Sequence, residues 1–352
     1  AAVADYNTKC LTGNVVFELT TTYYNSSTGE TFPIVINQNP DAGPTKTLTI
    51  RPAAGTEVLM VASSGATANA LIKLNGADYV TIDGDNTVDP DQKFLIYNTA
   101  TVAGHVAVWI SSLATGQGAT NNTIKNCQIN TGISQNTSTV SSYGILMSGT
   151  TLSGTHASIT AGADNDNNTF SGNLIIRARY GIYCIGASSA NPNTGTVINN
   201  NTLGAEALNT GFQIGKAAIV VREEDGIQIT NNDIRNVGGS FANTPATSAD
   251  RVGIAFSSDG TWPATNVYVK NAVVTGNKIH QVVEERTFSA AAISIAAADG
   301  ANATNNLIAN NFIYDIKANG TNPDQTVGIG LVAGNGDKIV NNSIYMTGDT
   351  DP

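Results

Sequence analysis

Charge is scarce in this chain of 352 residues. Lys, Arg, Asp and Glu make up 12% of it, about half of the ~25% usual for soluble domains. Basic residues are the scarcer kind, 17 against 27 acids, giving a formal charge of −10. A surface so poor in Lys and Arg cannot neutralise a run of phosphates, which excludes nucleic acid as a partner. Long apolar runs are missing too. None nears the ~18 residues of a spanning helix, so the chain is not expected to span a membrane. The three cysteines, Cys10, Cys127 and Cys184, stand far apart with no Cys-x-x-Cys and no His beside them. His105, His156 and His280 also lack ligand spacing, which speaks against zinc. A single disulfide would leave one thiol over, and all three read equally well as small buried hydrophobes. Their role and the redox compartment stay open. No signal-peptide pattern opens the chain at Ala1, so a processed chain or a fragment is expected.

Small polar residues take the place of the charges, with 35 Gly and 41 Asn. Their arrangement is periodic. A small residue followed by alternating apolar positions recurs as Gly144-Ile145-Leu146-Met147, Gly181-Ile182-Tyr183-Cys184 and Ala218-Ile219-Val220-Val221. It continues as Gly253-Ile254-Ala255-Phe256, Ala292-Ile293-Ser294-Ile295 and Gly328-Ile329-Gly330-Leu331. Upstream copies begin at Ala107 and Leu71, and successive copies start 35–39 residues apart. Between them lies a second pattern, an apolar residue, then a Gly/Asn-Asn pair, then an apolar residue. It ends on Asn173, Asn201, Asn232, Asn277, Asn311 and Asn342. A sharp corner between two short strands explains the pair. Its first residue visits left-handed backbone space, which Gly and Asn reach at least cost. Its second can bond the same residue one layer up or down, forming an internal Asn ladder.

Each period therefore holds three short strands. Such periods stack as rungs of a solenoid in which Ile145, Ile182, Ile219, Ile254, Ile293 and Ile329 form one inward column. Helical solenoids are excluded by the lack of 3.6-residue spacing. The expected fold is all-β, a right-handed parallel β-helix with three short strands per coil. Residues 1–65 are expected to form an N-terminal cap and irregular first coils, and 66–352 regular coils that continue beyond Asp351-Pro352 in a parent protein. The Asn corner and Gly-Ile pattern resemble the repeat of pectate lyase-like and polygalacturonase-like β-helix proteins over residues 66–352. The opening, Ala2 to Asn7, Gly13 to Leu19 and Thr47 to Pro52, is similar to N-terminal segments of large secreted or cell-surface Bacteroidetes β-helix proteins. In such relatives a sorting tail directs export by type IX secretion. That tail is not among these residues, so the resemblance implies the export route only through its N-terminal part.

Loops carry function on a solenoid. From the Gly-Ile strand to the Asn corner takes 14 residues from Ala218 and from Gly328, but 29 from Gly144 and 24 from Gly253. The long excursions are therefore 149–166 and 257–270. Trp262 in the second can stack on a sugar ring, or pack down as a local staple. The acidic clusters Glu223, Glu224, Asp225 and Glu284, Glu285, Arg286 offer paired carboxylates for glycoside cleavage. They read more readily as solvated turn charges. Of the polygalacturonase-type signatures, Asp-Asp, Gly-His-Gly and Arg-x-Lys are absent. Asp83, Asp85, Asp89 and Asp91, with Asp164 and Asp166, could supply hard oxygens to calcium, though Asp in tight turns is common for backbone reasons. No other cofactor is expected.

The function that follows is a non-catalytic extracellular structural or adhesive β-helix, a segment of a larger surface protein. Its partners would be surface glycans or other cell-surface and secretion proteins. The alternative is a polysaccharide-active enzyme, lyase or glycoside hydrolase, or a carbohydrate-binding β-helix.

Overall fold

Asn and Gly set where the chain turns, and the computed structural model follows them coil by coil. It describes residues 1–62, 69–89, 92–100, 102, 104–132, 141–152, 159–207, 211–238, 249–284, 288–318 and 324–346. A pre-corner sheet of ten parallel strands runs from Val15–Leu19 and Leu48–Pro52 to Leu307–Ala309 and Lys338–Val340. A ladder of nineteen strands wraps the other two sides. One side is the post-corner sheet, from Tyr23–Tyr24 and Val58–Val61 to Phe312–Ala318 and Ser343–Tyr345. The other is the Gly-Ile sheet, from Ile34–Asn37 and Ala70–Asn75 to Ala290–Ala296 and Thr326–Ala333. The protein is a right-handed parallel β-helix with three short strands per coil and an internal Asn ladder. The helix Ala2–Thr8 lies against the first Gly-Ile strand, where Asn7 Nδ2 donates to Val35 O at 2.9 Å.

Register is strict. Ile145 pairs with Ile182, Ile182 with Ile219, Ile219 with Ile254, Ile254 with Ile293 and Ile293 with Ile329. All are fully buried except Ile329, which is half-buried. A facing column on the pre-corner sheet runs Ile82, Ile124, Phe170, Ile198, Ile229, Val274, Ile308. The small residue that opens each Gly-Ile strand has a steric reason. A Cβ on Gly144, Gly181 or Gly253 would stand 2.5–2.6 Å from a carbonyl oxygen of the next coil.

At the corner, Asn126, Asn200, Asn231, Asn310 and Asn341 have φ of 53–56°, and Gly172 and Gly276 share that region. The residue that follows turns inward. Backbone N–H groups of Asn173, Asn201, Asn232, Asn277 and Asn311 each donate to the side-chain oxygen of the next ladder Asn, at 2.9–3.0 Å. Each Nδ2 donates back to a carbonyl of the preceding coil, as Asn232 does to Ile198 O at 2.9 Å. Cys127 occupies the same place one coil earlier, its N–H donating to Asn173 Oδ1 at 3.0 Å. It and Cys184 are buried free thiols, while Cys10 is exposed.

The sequence reading missed a second amide column at the start of the pre-corner strands. Val80 N–H donates to Asn122 Oδ1 (2.9 Å) and Asn122 N–H to Asn168 Oδ1 (3.0 Å). Further on, Ala272 N–H donates to Asn306 Oδ1 (2.9 Å). The signal was there, an Asn two residues before the inward Ile124, Phe170 and Ile308.

Removing a central rung should unfold more than removing a terminal one. Asn232→Leu strands the N–H of Asn201 and the carbonyl of Ile198, at about 1–3 kcal/mol for each buried group. Asn342, only half-buried, should cost clearly less when changed to Leu. Equilibrium urea unfolding of both variants measures the difference, and equal losses would contradict a ladder that carries load along its length.

Candidate functional site

On a strand, alternate residues face out, so every coil contributes to outward columns as well as inward ones. On the Gly-Ile sheet one outward column reads Lys73, Trp109, Leu146, Tyr183, Val220, Ala255, Ser294, Gly330. Past Trp109 and Tyr183 the residues shrink to Val, Ala, Ser and Gly. The long excursions fill the space this leaves. The 257–270 segment crosses the sheet, Tyr183 Oη donating to Ser258 O and Tyr180 Oη to Asp259 O. Lys216 pairs with Asp259 at 3.3 Å, and Ser294 Oγ donates to Thr261 O at 3.0 Å. Ile159 from the 149–166 excursion joins Trp109, Tyr143, Leu146, Tyr180 and Tyr183 in a second apolar cluster outside the solenoid core. The side with the longest loops is thus closed over by those loops.

Trp262 belongs to this cover. Its ring lies so close to Gly330 that a Cβ there would stand 2.1 Å from it, and Nε1 donates to Gln325 Oε1 at 2.9 Å. Its backbone N–H donates to Asp250 at 3.2 Å. One ring face is therefore taken by the strand beneath.

The sequence offered the acidic clusters as solvated turn charges, and the structure corrects this for two of them. Glu224 and Glu284 are fully buried. Glu284 ends a post-corner strand and meets Arg251, itself buried, at 3.0 Å. Glu224 lies in a short corner sheet, Asn193–Thr194, Glu224–Asp225 and Val269–Lys270, between the Gly-Ile and pre-corner sides. Glu223 is bonded to Arg222 at 2.7 Å, and Asp225 accepts from Asn271 Nδ2 at 2.7 Å. The two clusters sit at opposite ends of the Gly-Ile strands. At ~3.3 Å per residue over about seven residues they are roughly 20 Å apart, well beyond the ~5–9.5 Å of a glycosidase pair. Glu285 and Arg286 lie outside the described residues, as do His156 and Asp91.

The aspartates offered for calcium are engaged in turns. Asp83 pairs with Lys125 at 2.9 Å and accepts from Asp85 N–H, while Asp85 accepts from Thr87 N–H. Asp89 pairs with Lys93 at 2.8 Å. Asp164 accepts from Gly116 N–H and Asp166 from Thr194 N–H. Among the described residues no three His, Cys, Asp or Glu gather as a metal site. His105 is buried with Nδ1 3.0 Å from Val102 O.

The post-corner sheet keeps an open outer face. Near its start a groove of about 500 Å³ is lined by Thr22, Glu57, Leu59, Gln92, Lys93, Leu95 and Gln128. Leu59, Leu95 and Gln128 stand in one outward column along it. Lys93 is held by Asp89 and, at 3.1 Å, by Glu57. Toward the other end two outward columns meet, Asp233–Lys278–Phe312 and Arg235–His280–Tyr314–Tyr345. His280 Nε2 lies 2.9 Å from Asp233 Oδ1, with Arg235 at 3.3 Å and Lys278 at 3.9 Å from the same carboxylate. Burial alone would raise the Asp233 carboxyl, but the bond to His280 and the nearby cations outweigh it and hold it below its usual range. His280 stacks on Tyr314 at 4.7 Å and 8°. That distance matches the ~4.8 Å between coils, so the ring faces look along the solenoid axis, with His280 itself buried between its neighbours. Sequence reasoning passed over these residues, although they flank the inward Ile after each ladder Asn in Asn232-Asp233-Ile234-Arg235, Asn277-Lys278-Ile279-His280 and Asn311-Phe312-Ile313-Tyr314.

Coil, ladder and columns together define a parallel β-helix protein. Within that class the chain belongs to the family described as a protein of unknown function (DUF1565), which matches residues 8–217. Among curated proteins none matches the sequence. Solved structures similar to it include an alginate lyase from Paenibacillus sp. str. FPU-7, at 16% identity and a TM-score of 0.48, covering 93% of this chain and 94% of that one. The surface adhesin PfbA of Streptococcus pneumoniae is similar at 10% identity and a TM-score of 0.45, covering 98% and 73%. A family PL6 polysaccharide lyase from Pseudopedobacter saltans is similar at 15% identity and a TM-score of 0.34, covering 99% and 90%. Among the described residues no helix is long and apolar enough to cross a membrane.

Two substitutions test the packing. Gly330→Ala should push the Trp262 ring off the strand, at about 1–3 kcal/mol, and shift its fluorescence to the red while buried Trp109 stays unchanged. Glu284→Gln takes the carboxylate from a buried guanidinium and should cost about 3–5 kcal/mol in thermal or urea unfolding.

Proposed function

We propose that the chain is a non-catalytic adhesive or structural β-helix, secreted or held at a cell surface. In this reading it meets surface glycans or neighbouring surface and secretion proteins through the outer face of the post-corner sheet. Export by a type IX route and membership of a larger surface protein belong to the same proposal. The observation that carries it is the contrast between two faces. The Gly-Ile face is closed over by its own loops, whereas the post-corner face carries a groove lined by two leucines, two amides and charged side chains. At about 500 Å³ the groove lies within the ~300–1,000 Å³ of small-ligand sites. Paired amides and apolar carbons suit the hydroxyls and C–H faces of a sugar.

A second reading, a polysaccharide-active enzyme, has one observation in its favour. Asp233, His280, Lys278 and Tyr314 gather acid and base groups on that same open face, and proton transfer by positioned side chains is what glycan cleavage needs. Calorimetry against acidic and neutral glycans, with product analysis of the same mixtures, separates the readings. Adhesion predicts saturable binding without product, weakened ~tenfold or more, about 1.4 kcal/mol, by Gln128→Ala or Leu95→Asp. Product formation abolished by His280→Ala would replace it with the enzyme. Neither binding nor product across the panel would remove glycans as partners.

A further inference from the structure

A third amide column climbs the corner between the Gly-Ile and pre-corner sides. Ala119 N–H donates to Asn165 Oδ1 at 2.9 Å, and Asn165 N–H to Asn193 Oδ1 at 3.0 Å. One coil on, at the position paired with Asn193, the amide is replaced by an acid, Glu224. Asn193 Nδ2 donates to Glu224 Oε1 at 3.1 Å. Glu224 is fully buried, and its other oxygen has no hydrogen-bond partner among the described residues. The Thr196 hydroxyl approaches without the geometry of a bond.

The neighbours do not favour a negative charge. The strand Ala178–Ile185 contributes the buried Cys184 thiol, whose own pKa burial and Glu224 both raise. Asp166 and Glu223 add repulsion. Arg222 is committed to Glu223, and Lys270 of the adjoining strand to Asp299 at 3.1 Å. Asp225 and Tyr268 stand nearby as well, the tyrosine raised by burial and then by Asp225. A buried carboxylate with one amide donor and no cation pays most of its desolvation cost.

We propose that Glu224 is held as a neutral carboxylic acid, a rung of the Asn165–Asn193 column, and that its ionisation releases the short corner sheet together with the cover it anchors. The link to the cover is direct. Glu224 N–H donates to Tyr268 O at 3.2 Å, and Tyr268 leads into Val269–Lys270 at the end of the 257–270 excursion. Loosening that end frees the segment lying over Val220, Ser294 and Gly330, and exposes the apolar face beneath. The direction of the pH dependence follows from burial. Desolvation lifts the carboxyl from 4.5 to about 8, with Asp166 and Glu223 adding to it and Thr196 and Asn193 opposing. A folded-state value above the unfolded one gives stability that is full below about 4.5. It is lost as pH rises through about 8, and the loss then levels off.

The test compares wild type with Glu224→Gln, which keeps the shape and the amide contact without the titration. The infrared difference spectrum at pH 7 should contain one carboxylic-acid C=O stretch present only in wild type. Hydrogen exchange, corrected for intrinsic rate, should show ~tenfold loss of protection at Glu224–Gly226 and Tyr268–Lys270 between pH 6.5 and 9.5 in wild type, and little in the variant. Absence of the acid band, or equal loss of protection in both proteins, overturns the proposal. If Glu224→Gln folds poorly, carboxyl carbon NMR of wild type decides. One glutamate must titrate far above the normal range, and the idea fails if all titrate normally.

Discussion

Everything in this fold hangs on satisfying backbone groups at buried corners. A solenoid coil turns sharply three times, and each turn leaves amides and carbonyls that the parallel ladder cannot reach. A buried peptide group left unpaired costs about as much as a good hydrogen bond provides. Asn answers this with one side chain, because its carbonyl accepts from one neighbouring coil while its amide donates to another. Asn232 takes Asn201 N–H and gives to Ile198 O on one side and to Asn277 Oδ1 on the other, so it bridges coils that the strands alone would hold only along their edges. The abundance of Asn and the poverty of charge follow from the same requirement. A corner inside the coil needs partners of both kinds in a small volume, and an ion would need a counter-ion as well.

Strict register has a second consequence, on the outside. Once inward residues stack, outward ones must stack too, and each face inherits a column whose side-chain sizes decide what can lie upon it. On the Gly-Ile side the fall from Tyr183 to Gly330 creates a recess, and the nearest long loop fills it with Trp262. On the post-corner side no such gradient exists. There the half-buried Asp233 and Tyr314 flank a buried His280, which bonds the one and stacks on the other across neighbouring coils. A repeat protein makes sites in this way, by letting successive coils differ at one outward position.

Much of this was legible in the sequence because the inward positions repeat. Ile182 and Asn201 could be placed from spacing alone, since the period is set by core and corner together. The outward residues escaped because their identity changes from coil to coil, so no recurrence draws the eye to Asp233 or His280. They were nonetheless fixed by the same frame, two positions apart around an inward Ile. The burial of Glu224 and Glu284 was harder to foresee. A run such as Arg222-Glu223-Glu224-Asp225 reads as a polar turn, and only the coil geometry shows that one of its side chains points into the corner while its neighbours face water. The second amide column carries the same signal, since Asn122, Asn168 and Asn306 each close an Asn-Asn pair whose first member has positive φ, but it lacks a counterpart in every coil and so shows no period.

The two buried acids illustrate why so few charges suffice here. Glu284 meets a guanidinium at the junction of the post-corner and Gly-Ile strands, where a long Arg251 side chain can reach it without crossing the core. Glu224 has no such access. Its column is made of amides, and among the described residues its carboxyl meets one donor, Asn193 Nδ2 of the preceding coil. An acid placed there resembles an amide most closely when it keeps its proton, so the ladder itself sets the protonation state. The carboxylates that seemed the best candidates for chemistry are thus parts of the frame. Among the described residues, the groups of the post-corner face lie outside the cover that the 257–270 excursion lays over the Gly-Ile sheet, and a ligand can meet them there.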